Sequence, residues 1–410
     1  MHDRQLRVDR RAFLRTTSVA GIATLAYPRA LLSLSPSSDA SRVVIAEHDD
    51  ATTGFSIKLP TVQMMVDSGV KWLADRQDVG EAWKALLPSI SPSQTVAIKV
   101  NCLFPSIPTH PQVAQAVING LTRMAFDGQM FPQNNIIIYG DRSSRMQSSG
   151  YTINSSTSGV RCIGSDTAGY STDSYDVSGS SQRLSKVVTS MADHIINIPV
   201  LKNHGGVAGV SLSLKNHYGT CDRPSRLHGN NGDPYIPALS SLYPIKSRQR
   251  VNVLDALVGV RSGGPNGYPQ FTANTIVLSK DMVATDYWGR EILEDNGCTT
   301  TSYASHIDTA ASVYRLGTND PSQMDVVRLT NPTSQSSPPV EIDVDPARVR
   351  LADFDGSGKV DFSDFVEFAR GFGTSEGDAG FNSKFDLDGN GSVGFNDFVQ
   401  FAQLFGKSVV

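Results

Sequence analysis

Two acidic loops near the C-terminus carry the clearest chemistry in the chain. Asp353-Phe354-Asp355-Gly356-Ser357-Gly358-Lys359-Val360-Asp361-Phe362-Ser363-Asp364 places side-chain oxygens at positions 1, 3, 5, 9 and 12 of a twelve-residue stretch, with glycine at position 6. Calcium takes six to eight hard oxygens, and a loop that turns sharply at a central glycine delivers alternate side chains and one backbone carbonyl to a common point. In this loop the donors are Asp353, Asp355, Ser357, Asp361 and Asp364, with the carbonyl of Lys359 at position 7. Thirty-three residues on, Asp386-Leu387-Asp388-Gly389-Asn390-Gly391-Ser392-Val393-Gly394-Phe395-Asn396-Asp397 repeats the pattern. Its donors are Asp386, Asp388, Asn390 and Asp397, with the carbonyl of Ser392, and Gly394 leaves position 9 to water. Two calcium ions are therefore expected. The first loop offers four carboxylates and the second three, so the first site is expected to bind more tightly.

A second constellation lies upstream. Lys99 and Asn101 end one expected strand, Asp141 ends another, and Lys202 and His204 follow a third. In an open α/β sheet these positions share the carboxyl edge, where ligands bind. Leu201-Lys202-Asn203-His204 recurs as Leu214-Lys215-Asn216-His217, which brings further amine, amide and imidazole groups to the neighbourhood if the glycine-rich span between them folds back. Three lysines beside two imidazoles favour an anionic ligand, a carboxylate or a phosphate, with Lys99, Lys202, His204 and His217 as the catalytic candidates and Asn101, Asp141, Lys215 and Asn216 as ligand-binding ones. A transition metal held by His204, His217 and Asp141 or Asp255 is the alternative reading. His194, at a strand start, reads as structural. Gly263-Gly264-Pro265 could form a loop over the site. There is no G-x-G-x-x-G and no P-loop, which argues against a nucleotide cofactor.

The elements that must position these groups alternate along the chain. Short β-branched runs at 43–46, 96–100, 136–139, 195–198, 251–254 and 275–278 are expected strands, and 61–73, 111–126 and 282–295 are expected helices. This alternation implies an α/β fold: three layers, with a largely parallel sheet between flanking helices. Residues 143–185 are rich in Ser, Thr, Gly and Tyr and are expected to form irregular surface loops and short β segments. Residues 331–348 begin with a polar, Pro-rich stretch of linker composition. Behind each acidic loop, Phe365, Phe368, Ala369 and Phe372 recur as Phe398, Phe401, Ala402 and Phe405, two exit helices whose aromatic faces are expected to pack together. Pro346 is expected to leave no room for a helix entering the first loop.

Composition narrows the function classes. The 410 residues carry 36 Lys+Arg and 40 Asp+Glu, a net charge of −4, which gives no general attraction to nucleic acid. Past the leader, no run approaches the roughly 18 apolar residues of a membrane span. Cys102, Cys162, Cys221 and Cys298 stand far apart with no C-x-x-C, which excludes iron–sulfur spacing and leaves disulfides and isolated thiols equally open. Asp9-Arg10-Arg11-Ala12-Phe13-Leu14-Arg15, followed by a small-residue run to Tyr27, resembles a twin-arginine export signal, which implies a periplasmic or extracellular protein.

Two family resemblances follow from the quoted residues. The half-EF-hand arrangement over 349–406, with Asp at position 12, resembles type I dockerin repeats. That likeness implies a cohesin-like or cell-surface partner, although dockerins of known partner usually carry small polar residues where this chain has Phe362 and Phe395. Ala97-Ile98-Lys99-Val100-Asn101, Ile136 to Asp141, Ala192 to His204, Ser211 to Gly219, Val253 to Leu257 and Gly263-Gly264-Pro265 are similar to the domain of unknown function 362 family. Some members carry ferredoxin-type cysteines that are absent here, and the family supplies no reaction. The expected organisation is a signal peptide and spacer at 1–40, an α/β domain at 41–330, a linker at 331–348 and a small all-α EF-hand pair at 349–410. The expected function is an exported calcium-binding protein whose large domain binds a small anion or acts on one. The alternative is a non-catalytic protein attached to a surface or scaffold through its tail.

Overall fold

The structure, a computed structural model, describes residues 40–338 and 346–408. The twin-arginine stretch lies outside the described residues. The central sheet uses ten strands: β1 (Ser41–Glu47), β2 (Val96–Val100), β3 (Ile136–Gly140), β4 (Arg161–Gly164), β5 (His194–Ile198), β6 (Val200–His204), β7 (Gly209–Val210), β8 (Gln249–Val260), β9 (Phe271–Ser279) and β10 (Met324–Thr330). Their order is β10-β1-β9-β8-β5-β2-β3-β4, with β6 also beside β8 and β7 beside β6. From β8 to β4 every neighbour is parallel, whereas β9 runs antiparallel to both β1 and β8. The sheet is mixed, with its parallel half at the end that carries the site.

Alternation along the strands sorts the core into two layers. Val44, Ala46, Val96, Ile98 and Val100 pack on one face with α1 (Leu59–Ala74), α2 (Val79–Leu86) and α3 (Pro111–Leu121). Val43, Ile45, Ala97, Ile137 and Ile195 face the other way, toward α4 (Ser213–Asn216) and α5 (Met282–Asp295). Lys99 shares that second face by the period of two. The strand runs are almost wholly apolar because both faces are covered.

Several expectations shift. The helix expected to reach Phe126 stops at Leu121, and Ala125–Phe126 instead pairs with Gln129–Met130 in a small hairpin. The Ser-rich 143–185 region holds short β segments among its loops, as expected, and one of them, β4, forms the edge of the central sheet beside β3. Of the expected linker, residues 331–338 lie on the large domain. Ser68 Oγ donates to the Thr333 carbonyl, Lys71 Nζ to that of Ser334, and Gln77 Nε2 to that of Pro338. All four cysteines are buried free thiols.

In the C-terminal part, α6 (Pro346–Ala352) does precede the first acidic loop, which corrects the expectation that no helix fits there; Pro346 starts it, at a first-turn position where proline's missing N–H costs nothing. The exit helices are α7 (Phe362–Gly371) and α8 (Phe395–Leu404). Phe368 and Phe401 stack at 5.4 Å and 9° between them, with Phe365 and Phe398 6.5 Å apart beside that pair. Ala369, Phe372, Ala402 and Phe405 lie exposed beyond this contact. The loops interlock across the repeat. Val360 of the first exchanges backbone hydrogen bonds with Gly406 and Lys407 behind α8, and Val393 of the second does the same with Gly373 and Thr374 behind α7.

Candidate functional site

The carboxyl ends of β2, β3 and β6 open into a cavity of about 720 Å³. After β2 come Lys99, Asn101, Leu103 and Phe104; after β3, Asp141, Arg142 and Arg145; from the α4 region, Lys215, Asn216, Tyr218 and Gly219. His204, Ser211, Asp222, Arg223, Arg226, His228 and Pro265 complete the wall. The lining therefore holds six cationic side chains (Lys99, Arg142, Arg145, Lys215, Arg223, Arg226) against two carboxylates. Both carboxylates are already engaged, Asp141 by Arg145 and Asp222 by Arg183 and Arg223. Positive charge is left over.

The lysines at the base are the unusual part. Lys99, Lys202 and Lys215 are 2%, 0% and 6% exposed, and among the described residues none forms an ion pair with a carboxylate. Lys99 Nζ donates to the Val100 carbonyl at 2.7 Å and to Asn216 Oδ1 at 3.4 Å. Lys202 Nζ donates to Asn101 Oδ1 at 3.0 Å and to the Ile107 carbonyl at 3.1 Å, one layer beneath the cavity wall. Lys215 Nζ lies 3.9 Å from the Tyr218 ring centroid. Burial disfavours each ammonium. It lowers the pKa of Lys99 to about 8, though Asp141 opposes the shift, and those of Lys202 and Lys215 to about 7, helped by Lys99 for the first and by Lys202 for the second. His204 falls to about 3, from burial and then the charge of Lys215, and His228 is lowered by the same two causes. These imidazoles are neutral bases at neutral pH.

The local fold explains how such costly groups are held. The Asp286 carboxylate accepts from the backbone N–H groups of Ser213 and Leu214, the opening residues of α4, and so anchors the turn that carries Lys215 and Asn216. Burial raises the Asp286 pKa to about 7 against those hydrogen bonds. Asn216 Nδ2 donates to Asn197 Oδ1, and Asn197 Nδ2 in turn reaches Asn252 Oδ1 and the Ser213 carbonyl, a buried amide chain across β5 and β8. Gly219 leaves the floor open, since a Cβ there would lie 2.9 Å from Lys99 Nζ. Gly264 packs so closely on the Asn203 carbonyl that a side chain is excluded, and its N–H donates to Asn203 Oδ1 at 2.8 Å, which fixes Pro265 at the rim.

Lys99, Asn101, Asp141, His204, Lys215 and Asn216 thus converge, whereas Lys202 and His217 do not reach the wall. His217 is fully buried, its Nδ1 3.4 Å from Thr220 Oγ1. The metal grouping of His204, His217 and Asp141 or Asp255 is not assembled. Asp255 instead binds His110, Nδ1 to Oδ2 at 2.6 Å; burial works against the imidazolium, but that carboxylate holds its pKa above the ordinary value. His194 accepts from Arg250 Nε and is 2% exposed, as a structural residue would be. The sequence reading missed Arg142, Arg145, Arg223, Arg226, His228 and Asp286. Arg142 and Arg145 lie one and four residues past Asp141 and were within reach of the strand-end argument; Arg223, Arg226 and His228 lie in or beside the single 3-10 turn Pro224–Leu227, which has no periodic signal.

Residues 96–291 match the family model of a Domain of unknown function (DUF362). The match spans β2 through most of α5 and includes every cavity residue named above. No curated protein matches the chain. A crystal structure of a Thermotoga maritima protein, a Northeast Structural Genomics Consortium target, aligns at 12% identity over 55% of this chain and 58% of that one, with a TM-score of 0.27. That likeness carries no argument, and the DUF362 match names no reaction.

The acidic loops form two further clusters. One carboxylate oxygen from each of Asp353, Asp355 and Asp364 lies within 4.8 Å of the others, as do those of Asp386, Asp388 and Asp397. Among the described residues these are the only such groups of three or more metal-ligating side chains. In each loop the N–H of the central glycine, Gly358 or Gly391, donates to the first aspartate's Oδ2 at 2.9 or 2.8 Å, while Asp364 and Asp397 accept from backbone on both sides. Asp361, the fourth carboxylate expected of the first site, caps α7 by accepting from Ser363 N–H. Ser357 Oγ donates to the Lys359 carbonyl, and the Ser392 N–H donates to Asn390 Oδ1. Asp353 Oδ1 is buried without a hydrogen-bond partner, which fits a hard cation.

Proposed function

We propose that the large domain binds a small molecule bearing at least two negative charges, as an extracytoplasmic enzyme or anion-binding protein, in the cavity at the β2, β3 and β6 ends. The observation that carries this reading is the pair Lys99 and Lys215, buried in the cavity wall without an ion pair, with only the Arg145-bound Asp141 acting on Lys99 from nearby. A buried ammonium without a counter-charge is expensive, and an anion entering the cavity supplies the counter-charge. Arg142 and Arg226, free of ion pairs to the two wall carboxylates, add a second tier suited to another anionic group. Thermal denaturation with and without phosphate, pyrophosphate and citrate tests the reading. A rise in melting temperature that Lys99→Met and Lys215→Met abolish is expected; no shift with any anion refutes it.

The tail supports calcium binding by a dockerin-like EF-hand pair, because the two aspartate triads offer hard oxygens and Asp353 Oδ1 has no partner. Asp353, Asp355, Ser357, Asp364 and the Lys359 carbonyl would hold the first ion, with Asp361 near it. Asp386, Asp388, Asn390, Asp397 and the Ser392 carbonyl would hold the second. Each ion would neutralise a converging carboxylate triad and so stabilise the loops. Attachment through this tail to a surface or scaffold partner is the second reading: Phe362 and Phe395, 68% and 70% exposed at matching positions, offer it an apolar contact, although they stand where dockerins of known partner usually carry small polar residues. Export by the twin-arginine route completes the proposal and rests on the leader residues alone.

A further inference from the structure

We propose that Lys215 is a nucleophilic amine that condenses with the carbonyl group of an anionic ketone or aldehyde held in this cavity. The inference rests on the anion-binding reading and goes beyond it. Of the three buried lysines at the base of the cavity, Lys99 and Lys202 spend their Nζ protons on backbone carbonyls and on asparagine oxygens. Lys215 alone lines the cavity without a hydrogen bond of its own among the described residues, its Nζ over the Tyr218 ring. A lysine desolvated beside other cations is the environment that frees an amine lone pair at neutral pH, and its pKa of about 7 agrees. At pH 7 the neutral fraction of such an amine exceeds that of an ordinary lysine by roughly a thousandfold.

The remaining groups suit the step. The lone pair of neutral Lys215 attacks the carbonyl carbon, the C=O pair moves to oxygen, and that oxygen takes a proton to give a carbinolamine. Loss of the oxygen as water, with two hydrogens from nitrogen in total, leaves the C=N bond, and no oxidant or reductant is consumed. His204 and His228, neutral and lining the same cavity, can orient the amine and the carbinolamine by accepting hydrogen bonds, while the protons exchange with water entering the cavity. Lys99 and Arg142 hold the carboxylate or phosphate that orients the substrate.

The test treats the full chain at pH 7 with substoichiometric pyridoxal 5′-phosphate, or with glyoxylate, and sodium cyanoborohydride, then maps adducts by mass spectrometry. The expected result is labelling of Lys215 in preference to the exposed Lys186 and Lys280 by roughly a hundredfold, lost in Lys215→Arg. Phosphate titration of the unaltered chain by calorimetry is expected to show saturable binding, which reads the anion site independently of the adduct. Phosphate binding to the unaltered chain with adducts spread over surface lysines, or centred on Lys99, overturns the nucleophile and leaves the anion site standing. No phosphate binding and no selective adduct overturns both. Should Lys215→Arg unfold, Lys215→Met in the same labelling experiment decides whether the adduct is at this residue. Labelling by one reagent alone assigns the anionic group as phosphate or carboxylate.

Discussion

Replacing Lys215 with methionine will make the large domain more stable and less able to bind an anion. Methionine preserves the length of the buried stem and removes the ammonium. Burial carries the Lys215 pKa from 10.5 to about 7, so keeping that group protonated near neutrality costs on the order of 4 kcal/mol relative to the unfolded chain. The lost contact with the Tyr218 ring returns about 0.5–2 kcal/mol. Apolar replacement of buried ionic groups ranges from neutral to a gain of about 4 kcal/mol, so with the unpaired ammonium here a net gain of about 1–3 kcal/mol is expected, which raises the melting temperature of a domain this size by about 2–6 °C. Calorimetric melting in phosphate-free buffer reads the first effect and a phosphate titration the second. A variant that melts at or below the original temperature and still binds phosphate with unchanged affinity would refute the reasoning, because the ammonium would then be neither strained nor used.

Four further outcomes follow from the same geometry. Folded Lys99, Lys202 and Lys215 release their protons near pH 7–8 while the unfolded chain holds them to about 10.5, so the unfolded state binds more protons across that window. Stability of the large domain will rise from about pH 7 to 10.5 in urea titrations, and bound phosphate will flatten the rise. Asp286 works the other way: its raised pKa of about 7 gives stability that is full below about pH 4 and lost as pH climbs through 7. Asp286→Ala, which strands two N–H groups at the start of α4, will cost about 2–4 kcal/mol by chemical denaturation, and weaken phosphate binding; unchanged binding would mean that α4 is not held through Asp286. Gly264→Ala, forced against the Asn203 carbonyl, will lose about 1–3 kcal/mol by thermal melting. A calcium titration of the full chain will show two sites, and Asp386→Ala will leave the tighter one and Asp353→Ala the weaker.

Much of the cavity lining was legible because strands are short, apolar and bounded by polar residues. Lys99, Asn101 and Asp141 could be placed from the pattern of β2 and β3 alone. The α4 turn was harder. The repeated Lys-Asn-His motif brought Lys215 and Asn216 to the cavity but turned His217 into the core, since each step of a helical turn rotates the side chain by about 100° and His217 falls just past the end of α4, where the next turn begins. Asp286 and Asn197 went unseen because each is a single polar residue in a segment that periodicity assigns to the core, and only tertiary contact shows what it anchors. That the short β segment β4 joins the central sheet could not be read from its Ser- and Thr-rich flanks. The helix α6 was missed because proline was read as a breaker when it stands at a helix start.

The most direct test is a calorimetric titration of the full chain with pyrophosphate at pH 7.5 in two buffers of different ionisation enthalpy. An anion beside Lys99 and Lys215 raises their lowered pKa values, so the account predicts saturable binding at one site with proton uptake, seen as a heat that differs between the buffers and disappears in Lys215→Met. Absence of binding, or binding without proton uptake that survives the substitution, would contradict it.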